Sequence, residues 1–353
     1  MIEIDGSHGE GGGQVLRTAL ALSAWLGRPF QMKNIRARRM QPGLKAQHLA
    51  AVELVARVCG ATVEGAALRS GALRFSPGAV APGTYEQEVG TAGATTLVAQ
   101  AAAIPLLRAP GPSRLRIGGG THVAWAPPAD YLRDVYARLL SRMGLRLQVD
   151  VTRHGFFPRG GGCIEVEVGG ARSDETGAVS AIRLERPPRH QIRIEATAVV
   201  SSLPRTIAER MLATACRMLG ERHWRARERI VETAGPTGTY LFIRVFSHAD
   251  SDMPDDACIL GGFTGLGELR KPAEAVGQEA AGEALAFLQS EAALDCRLAD
   301  QVLLSALVAG CQLTFHTDRL SQHLRTQAET IAHFLGPCVR LASDGKVSVG
   351  RPQ

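Results

Sequence analysis

A glycine-rich stretch, Gly6-Ser7-His8-Gly9-Glu10-Gly11-Gly12-Gly13-Gln14, stands between an apolar strand at 2–4 and an apolar helical run from Val15 to Leu26. Glycines at such a junction let the backbone approach a ligand closely, and the amino end of the helix favours negative charge. No Gly-Lys-Ser/Thr ends the stretch, so it is neither the lysine-bearing phosphate loop nor the dinucleotide fingerprint. Glu10 is the informative residue in it. A carboxylate there repels a phosphate unless a divalent cation bridges them, and oxygen ligands select magnesium or manganese. Downstream, Arg36, Arg38 and Arg39 crowd four residues just ahead of a helix bearing Gln47 and His48, forked donors suited to phosphate oxygens. Near the other end, Ser321-Gln322-His323-Leu324 opens a further helix. The positive end of the helix dipole disfavours protonation of a histidine placed there, which keeps a nucleophilic ring nitrogen and stabilises an anionic adduct on it. Taken one at a time, these features also read as a tight turn, a solvated basic loop and an ordinary surface histidine.

A recurring pattern supplies the frame that must position them: an apolar-periodic helix, a glycine, a strand, a turn and a second strand. One copy runs to Cys59, stops at Gly60, extends over Ala61 to Glu64 and returns over Ala72 to Phe75. The next has Leu132, Val135, Tyr136, Leu139, Leu140 and Met143 at helical steps, opened by Pro127-Pro128 and closed by Gly144. Its strands are 145–149 and 163–168. The last runs through Phe334 and Gly336 to a strand at 339–341, the hairpin turn Asp344-Gly345, and a strand at 347–349. Between them, 181–271 breaks the rhythm with a strand around Ile192 to Ala198, a helix from Pro204 to Gly220 and a strand at 240–246. The expected fold is therefore mixed α/β (α+β). Residues 1–180 and 272–353 form a main body of three repeated helix-plus-sheet units, and 181–271 form a smaller inserted α/β domain.

With 353 residues, 45% hydrophobic and 21% charged, the chain has the composition of a globular protein with room for two domains. No run of about 18 uncharged apolar residues suggests a membrane span. Glu3 and Asp5 argue against a secretory signal, and seven scattered cysteines without C-x-x-C spacing argue against a disulfide framework or zinc site. A cytoplasmic setting is expected. The net charge of +6 suits an anionic partner, and 36 of the 40 basic residues are arginine. Aromatics at 5% predict that phosphates dominate any contact with RNA, with little base stacking.

Taken together, ordered blocks along essentially the whole chain resemble the RNA 3′-terminal phosphate cyclases. They are the Glu10-Gly-Gly-Gly-Gln14 loop, Ile35-Arg36-Ala37 with Arg39 and Pro42-Gly43-Leu44, Gln47-His48-Leu49, and the small-residue run 90–93 leading to Gln100. Further on come Ala126-Pro127-Pro128-Ala129-Asp130, His154-Gly155-Phe156, Leu298-Ala299-Asp300-Gln301, and His323-Leu324 with Thr326. The noncatalytic ribosome-assembly relatives lack a histidine where His323 stands. The resemblance implies an ATP-dependent enzyme that uses magnesium or manganese and acts on RNA 3′-phosphate ends, as a monomer or homodimer. His323 would be the nucleophile that carries AMP, and Glu10 the metal-binding carboxylate. Arg17, Arg36 and Arg39 would lie near phosphates, and Gln14, Gln100, Pro128, Arg297, Leu298, Ala299, Asp300 and Gln301 near the nucleotide. Two positions depart from the family: Arg297 stands where relatives often carry an adenine-stacking tyrosine, and Gln327 where they carry asparagine. The competing readings are a catalytically silent RNA or ribosome-assembly scaffold on the same fold, and an enolpyruvyl transferase, whose sheets are also built by repetition.

Overall fold

The computed structural model describes residues 1–9, 12–171, 181–248 and 257–350. The first unit comprises β1 (Ile2–Asp5), α1 (Gly13–Leu26), β2 (Phe30–Lys33), α2 (Ala46–Cys59), β3 (Thr62–Glu64) and β4 (Leu73–Ser76), with strand order β1-β2-β4-β3. The second has β5 (Thr84–Glu88), α3 (Thr95–Leu106) and β6 (Ser113–Gly119). A helical segment follows, made of α4 (Ala129–Tyr131), a π-turn over Leu132–Tyr136 and α5 (Ala137–Arg142), and then β7 (Leu147–Arg153) and β8 (Gly162–Val168). Its order is β5-β6-β8-β7. The third opens with β9 (Ile182–Arg183), and after the insert resumes as α8 (Cys296–Ala309), β14 (Leu313–His316), α9 (Gln322–Leu335), β15 (Val339–Leu341) and β16 (Lys346–Val349), with strand order β9-β14-β16-β15.

All three sheets thus share one topology, a parallel first pair followed by two antiparallel pairings. The repeat is larger than the helix-strand-strand pattern read from the sequence: each unit also carries a leading strand and a first helix. The helix stops fall where the glycines put them, since Gly27, Gly60 and Gly310 cap α1, α2 and α8 in the left-handed conformation that costs glycine little.

The insert sheet pairs β10 (Ile192–Ser201), β11 (Ala226–Thr233), β12 (Gly238–His248) and β13 (Ala257–Leu266) in the order β11-β10-β12-β13, with α6 (Arg205–Gly220) packed on it. Sheet pairing and core membership fall differently from the boundaries expected at 181 and 271. Strand β9 pairs in parallel with Leu313–Thr314 of the third sheet. Helix α7 (Ala273–Gln289) buries Val276, Ala280, Ala284 and Phe287 in the insert's core, which is separate from the main one. The chain therefore crosses between the two bodies after β9 and again after α7. A buried cluster seals the seam: Asp130 receives His122 Nε2 at 2.6 Å and the Tyr240 hydroxyl at 2.5 Å, and is paired with Arg133. His122 and Arg133 hold its carboxyl far below the usual range against the upward pull of burial.

Helices α1 and α9 pack together, tied by the Thr18 hydroxyl donating to Gln327 Oε1 at 2.5 Å. The departure at Gln327 is thereby explained in part: the longer amide reaches across the helix–helix contact. Among the described residues, no helix is long and apolar enough to cross a membrane.

Candidate active site

The starts of three helices, α1, α8 and α9, are brought together by side-chain hydrogen bonds. Helix α9 begins after Ser321, whose side chain accepts the Leu324 N–H at 3.1 Å and caps the helix. His323 therefore sits in the first turn, exposed, where an unpaired end of the helix dipole meets it. Helix α1 begins with Gly13-Gln14, and Gln14 Oε1 lies 2.8 Å from His323 Nδ1. The other end of the same amide donates from Nε2 to Asp300 Oδ2 at 3.3 Å. In this arrangement an Asp300 oxygen takes the NH2 of Gln14, which leaves the Gln14 carbonyl for the imidazole. A carbonyl in turn requires a proton on Nδ1. The line Asp300–Gln14–His323 thus selects the tautomer whose Nε2 carries the lone pair.

Burial and the neighbouring Asp295 push the Asp300 carboxyl up to about 8, opposed by Arg17 and by the Gln14 hydrogen bond. Arg17 is the cation of this pocket; burial lowers its guanidinium to about 10 while the Asp300 charge raises it. Asp295 caps α8, accepting the N–H groups of Arg297 and Leu298 at 2.8 and 2.9 Å, and burial raises it to about 6.

His48 was singled out in the sequence only as part of a motif, yet the structure places it against the loop. It is 3% exposed, and its Nδ1 accepts the Lys45 N–H at 3.1 Å, which assigns the proton to Nε2. Burial first, then Arg17, Arg36 and Lys45, lower its pKa to about 3, so the ring is neutral at any physiological pH. Its signal in the sequence was the position three residues beyond the helix start, facing back to the cap. A β-carbon on Gly13 would lie 2.2 Å from His48 Nε2 and 2.6 Å from Arg17 Nη1, so only glycine lets these groups close on α1. Glycine to alanine within a helix ordinarily stabilises by about 1 kcal/mol. Gly13→Ala is expected to have the opposite sign, a loss of about 1–3 kcal/mol in urea unfolding, because a buried ring must move.

The remaining expected residues divide by where they point. Arg39 reaches the loop, its Nη2 lying 3.4 Å from the position of a Gly12 β-carbon. Arg36, at φ +54° and 7% exposed, turns inward and donates from Nη1 to the carbonyls of Gln41 and Gly43 at 2.7 and 2.9 Å, which fixes the loop carrying Arg39. Gln100 donates to Gln301 Oε1 at 2.6 Å, joining α3 to α8, and Gln301 Nε2 donates to the Arg297 carbonyl at 2.8 Å. Pro128 caps α4 next to Pro127, whose carbonyl accepts the Thr96 hydroxyl at 2.8 Å, one turn before Gln100. Leu298 and Ala299 point into the core and spend their N–H groups on Asp295, so the structure does not bring their side chains to the site. Arg297 pairs with Glu283 of α7 at 2.9 Å on the exposed rim.

Glu10 lies outside the described residues, and among the described residues no group of three His, Cys, Asp or Glu side chains could hold a metal ion. The chemistry next to it is that of oxygen. Thr326 Oγ1 is buried, has no hydrogen-bond partner among the described residues, and would meet a β-carbon on Gly9, the residue before Glu10 in the chain, at 2.2 Å. A hydroxyl oxygen is the hard donor type that magnesium or manganese accepts.

These observations define a class: a repeat-built α/β protein with a histidine at one helix start, held by a glutamine of a second helix start, beside a glycine-rich loop that an arginine reaches. Residues 8–341 match the model of the RNA 3′-terminal phosphate cyclases, and the chain belongs to that family. It is 42% identical over 341 residues to the RNA 3′-terminal phosphate cyclase of Nostoc punctiforme, covering 95% of this chain and 94% of the relative. To that of Pyrobaculum neutrophilum it is 41% identical over 338 residues, covering 95% and 93%, and to that of Archaeoglobus fulgidus 39% over 344 residues, covering 96% and 97%.

Proposed function

We propose that this chain converts an RNA 3′-terminal phosphate to a 2′,3′-cyclic phosphate at the expense of ATP, with His323 carrying AMP between the two. The observation that carries the reading is the 2.8 Å contact of His323 Nδ1 with Gln14, itself held by Asp300. In the first step the Nε2 lone pair attacks the α-phosphorus of ATP, a P–N bond forms, and the P–O bond to the β-phosphate breaks to release pyrophosphate. In the second, an oxygen of the RNA 3′-phosphate attacks the same phosphorus and the imidazole leaves. In the third, the adjacent 2′-oxygen attacks the 3′-phosphorus, AMP departs, and the 2′-hydroxyl proton is lost.

A phosphate monoester dianion is a poor electrophile, and attaching AMP gives it a leaving group, so a covalent adduct divides one difficult displacement into easier ones. As phosphate charge gathers at Nε2, the helix dipole of α9 and the guanidinium groups of Arg17 and Arg39 stabilise it. Gln14 keeps the Nδ1 proton in place throughout. A divalent cation held by Glu10 would neutralise the triphosphate beside this cleft.

Mass spectrometry after incubation with ATP and magnesium tests the reading: an added AMP mass on the peptide containing His323 is expected, acid-labile and stable in alkali as a phosphoramidate is. A protein that acquires no such mass and cyclises no RNA would instead be a scaffold. Glu10→Ala is expected to slow adduct formation about 10- to 1,000-fold and to regain part of it at raised manganese, measured by initial rates across a metal titration.

A further inference from the structure

We propose that Trp125 and Phe157 form a stacking rim for the last unpaired bases of a single-stranded RNA entering the His323 site. The inference rests on the cyclase reading above and adds to it how the RNA is gripped. Only a few large apolar side chains among the described residues stand exposed, and two of them are these aromatic rings, at 101% and 79%. Trp125 also adopts φ +65°, a conformation that residues other than glycine enter only at a cost, and here it aims a bare indole at solvent. Its neighbours in sequence show how selective the exposure is. Val123 and Phe156 are buried, and Phe156 packs with His122, His154 and Tyr240 in the seam between the two bodies.

The two rings belong to one surface. The Thr121 and His122 N–H groups both donate to the Gly155 carbonyl, at 2.9 and 3.1 Å, and His122 bridges to Phe156, so the loops at 120–128 and 154–161 are zipped together. Hydrogen bonds link these loops to the site. The Trp125 loop is tied through the Pro127 carbonyl to Thr96, one helical turn from Gln100, and Gln100 bonds Gln301, the neighbour of Asp300 in the line to His323. The Phe157 loop packs Gly160 on the backbone of Thr91 and Ala92, and the Ala94 N–H donates to Gln47 beside His48.

Charge selects the occupant. Arg153 and Arg159, both exposed, flank Phe157 in the chain, and Arg38 and Arg39 are exposed, Arg39 beside Gly12. Aromatic faces interleaved with guanidinium groups suit the bases and phosphates of a single strand. Attack by a 2′-hydroxyl on its own 3′-phosphate further favours an unpaired end. The low overall aromatic content predicts little stacking; the placement of these two rings on loops tied to the site matters more than the count.

The test is fluorescence anisotropy of a 5′-fluorescein, 3′-phosphorylated single-stranded oligoribonucleotide at fixed salt, since phosphate contacts make affinity salt-dependent. Base–aromatic stacking corresponds to roughly 5- to 150-fold in affinity per base. Trp125→Ala and Phe157→Ala are each expected to weaken binding by about that range, with Trp125→Phe retaining most of it. Abasic units near the 3′ end should weaken the wild type and erase its advantage over Trp125→Ala. Unchanged melting temperatures, expected because both rings are exposed, exclude misfolding; if Trp125→Ala misfolds, the abasic series on the wild type decides. Binding within about two-fold of wild type in both alanine variants, an undiminished difference on abasic RNA, or a loss confined to ATP affinity would overturn the proposal. Adduct formation by the wild type with ATP and magnesium alone tests the underlying reading separately, because the anisotropy comparison requires no turnover.

Discussion

His323→Ala is expected to abolish the AMP adduct and to lower RNA cyclisation by at least ~10³-fold, with folding unaffected. The size follows from the role: removing the atom that forms the covalent bond leaves positioning and charge stabilisation but no route through the intermediate. The neutrality of stability follows from the geometry. The imidazole is exposed, the α9 cap belongs to Ser321, and the packing against α1 belongs to Thr18 and Gln327, so no cavity opens and no cap is lost. Intact-mass measurement with ATP and magnesium, beside a urea melt, separates the two effects. An adduct of wild-type yield in the variant would place the nucleophile elsewhere and undo the mechanism.

Asp300→Asn is the second variant with a large expected effect, and it should act in two directions at once. In the wild type the carboxyl titrates near 8 when folded and near the ordinary carboxylate value of 3.8 when unfolded. A folded pKa raised above the unfolded one means that the folded state holds a proton the unfolded state has released. The stability this proton confers is complete below about pH 4 and is lost as pH rises through 8. Asparagine carries no such liability, so the variant should gain on the wild type as pH rises from 4 to 9, by an amount on the order of a few kcal/mol, read as a widening gap between the two denaturation midpoints. Adduct formation should fall about 100-fold below the wild type above about pH 8, where the wild-type carboxyl is ionised and only accepts, and the gap should narrow at lower pH. An asparagine can present either end to Gln14, so the amide is free to flip and offer its NH2 to His323, which stabilises the tautomer with the lone pair on the wrong nitrogen. A variant that gained stability and kept its adduct rate would show that Gln14 is oriented without Asp300.

The acidic limb has the opposite sign. His48 is held neutral in the fold with a pKa of about 3, and His154, half-buried and stacked on His122, with one of about 4. Unfolding lets both rings bind protons near 6.5, so their contribution to stability is lost as pH falls from about 6.5 toward 4 and below. The chain thus keeps two kinds of buried group whose demands oppose each other, and both lie where the reaction or the seam between the bodies needs a fixed protonation state.

Much of the architecture is local physics and was legible in the residues. Gly60 and Gly336 end helices because they leave the chain without a side chain to clash, and Asp344-Gly345 turns a hairpin because glycine accepts φ +87° there. The amphipathic stripe of the helical segment at 129–142 is visible at helical spacing, although its π-turn is not. Strand β11, by contrast, lies at the edge of the insert sheet and opens with the charged run Arg227-Glu228-Arg229, as edge strands that resist pairing with other molecules often do, so hydropathy gave it little signal. Helix α7 has a buried face that either body could have accepted. Only contact decides that it covers the insert.

The chemistry divides in the same way. The sequence by itself determined the inventory: a histidine at a helix start, a glycine-rich loop, an arginine cluster and three repeats, because caps, turns and dipoles act over a few residues. Tertiary structure alone decided which of these groups meet. Gln14 and His323 lie 309 positions apart and touch through the packing of α1 on α9. Arg36 and Arg39 look equivalent along the chain, yet a backbone turn at φ +54° sends one inward to carbonyls and leaves the other facing the loop. Spacing along a chain fixes a residue's type and face, whereas protonation, tautomer and reach depend on what the folded neighbours bring within a few ångströms.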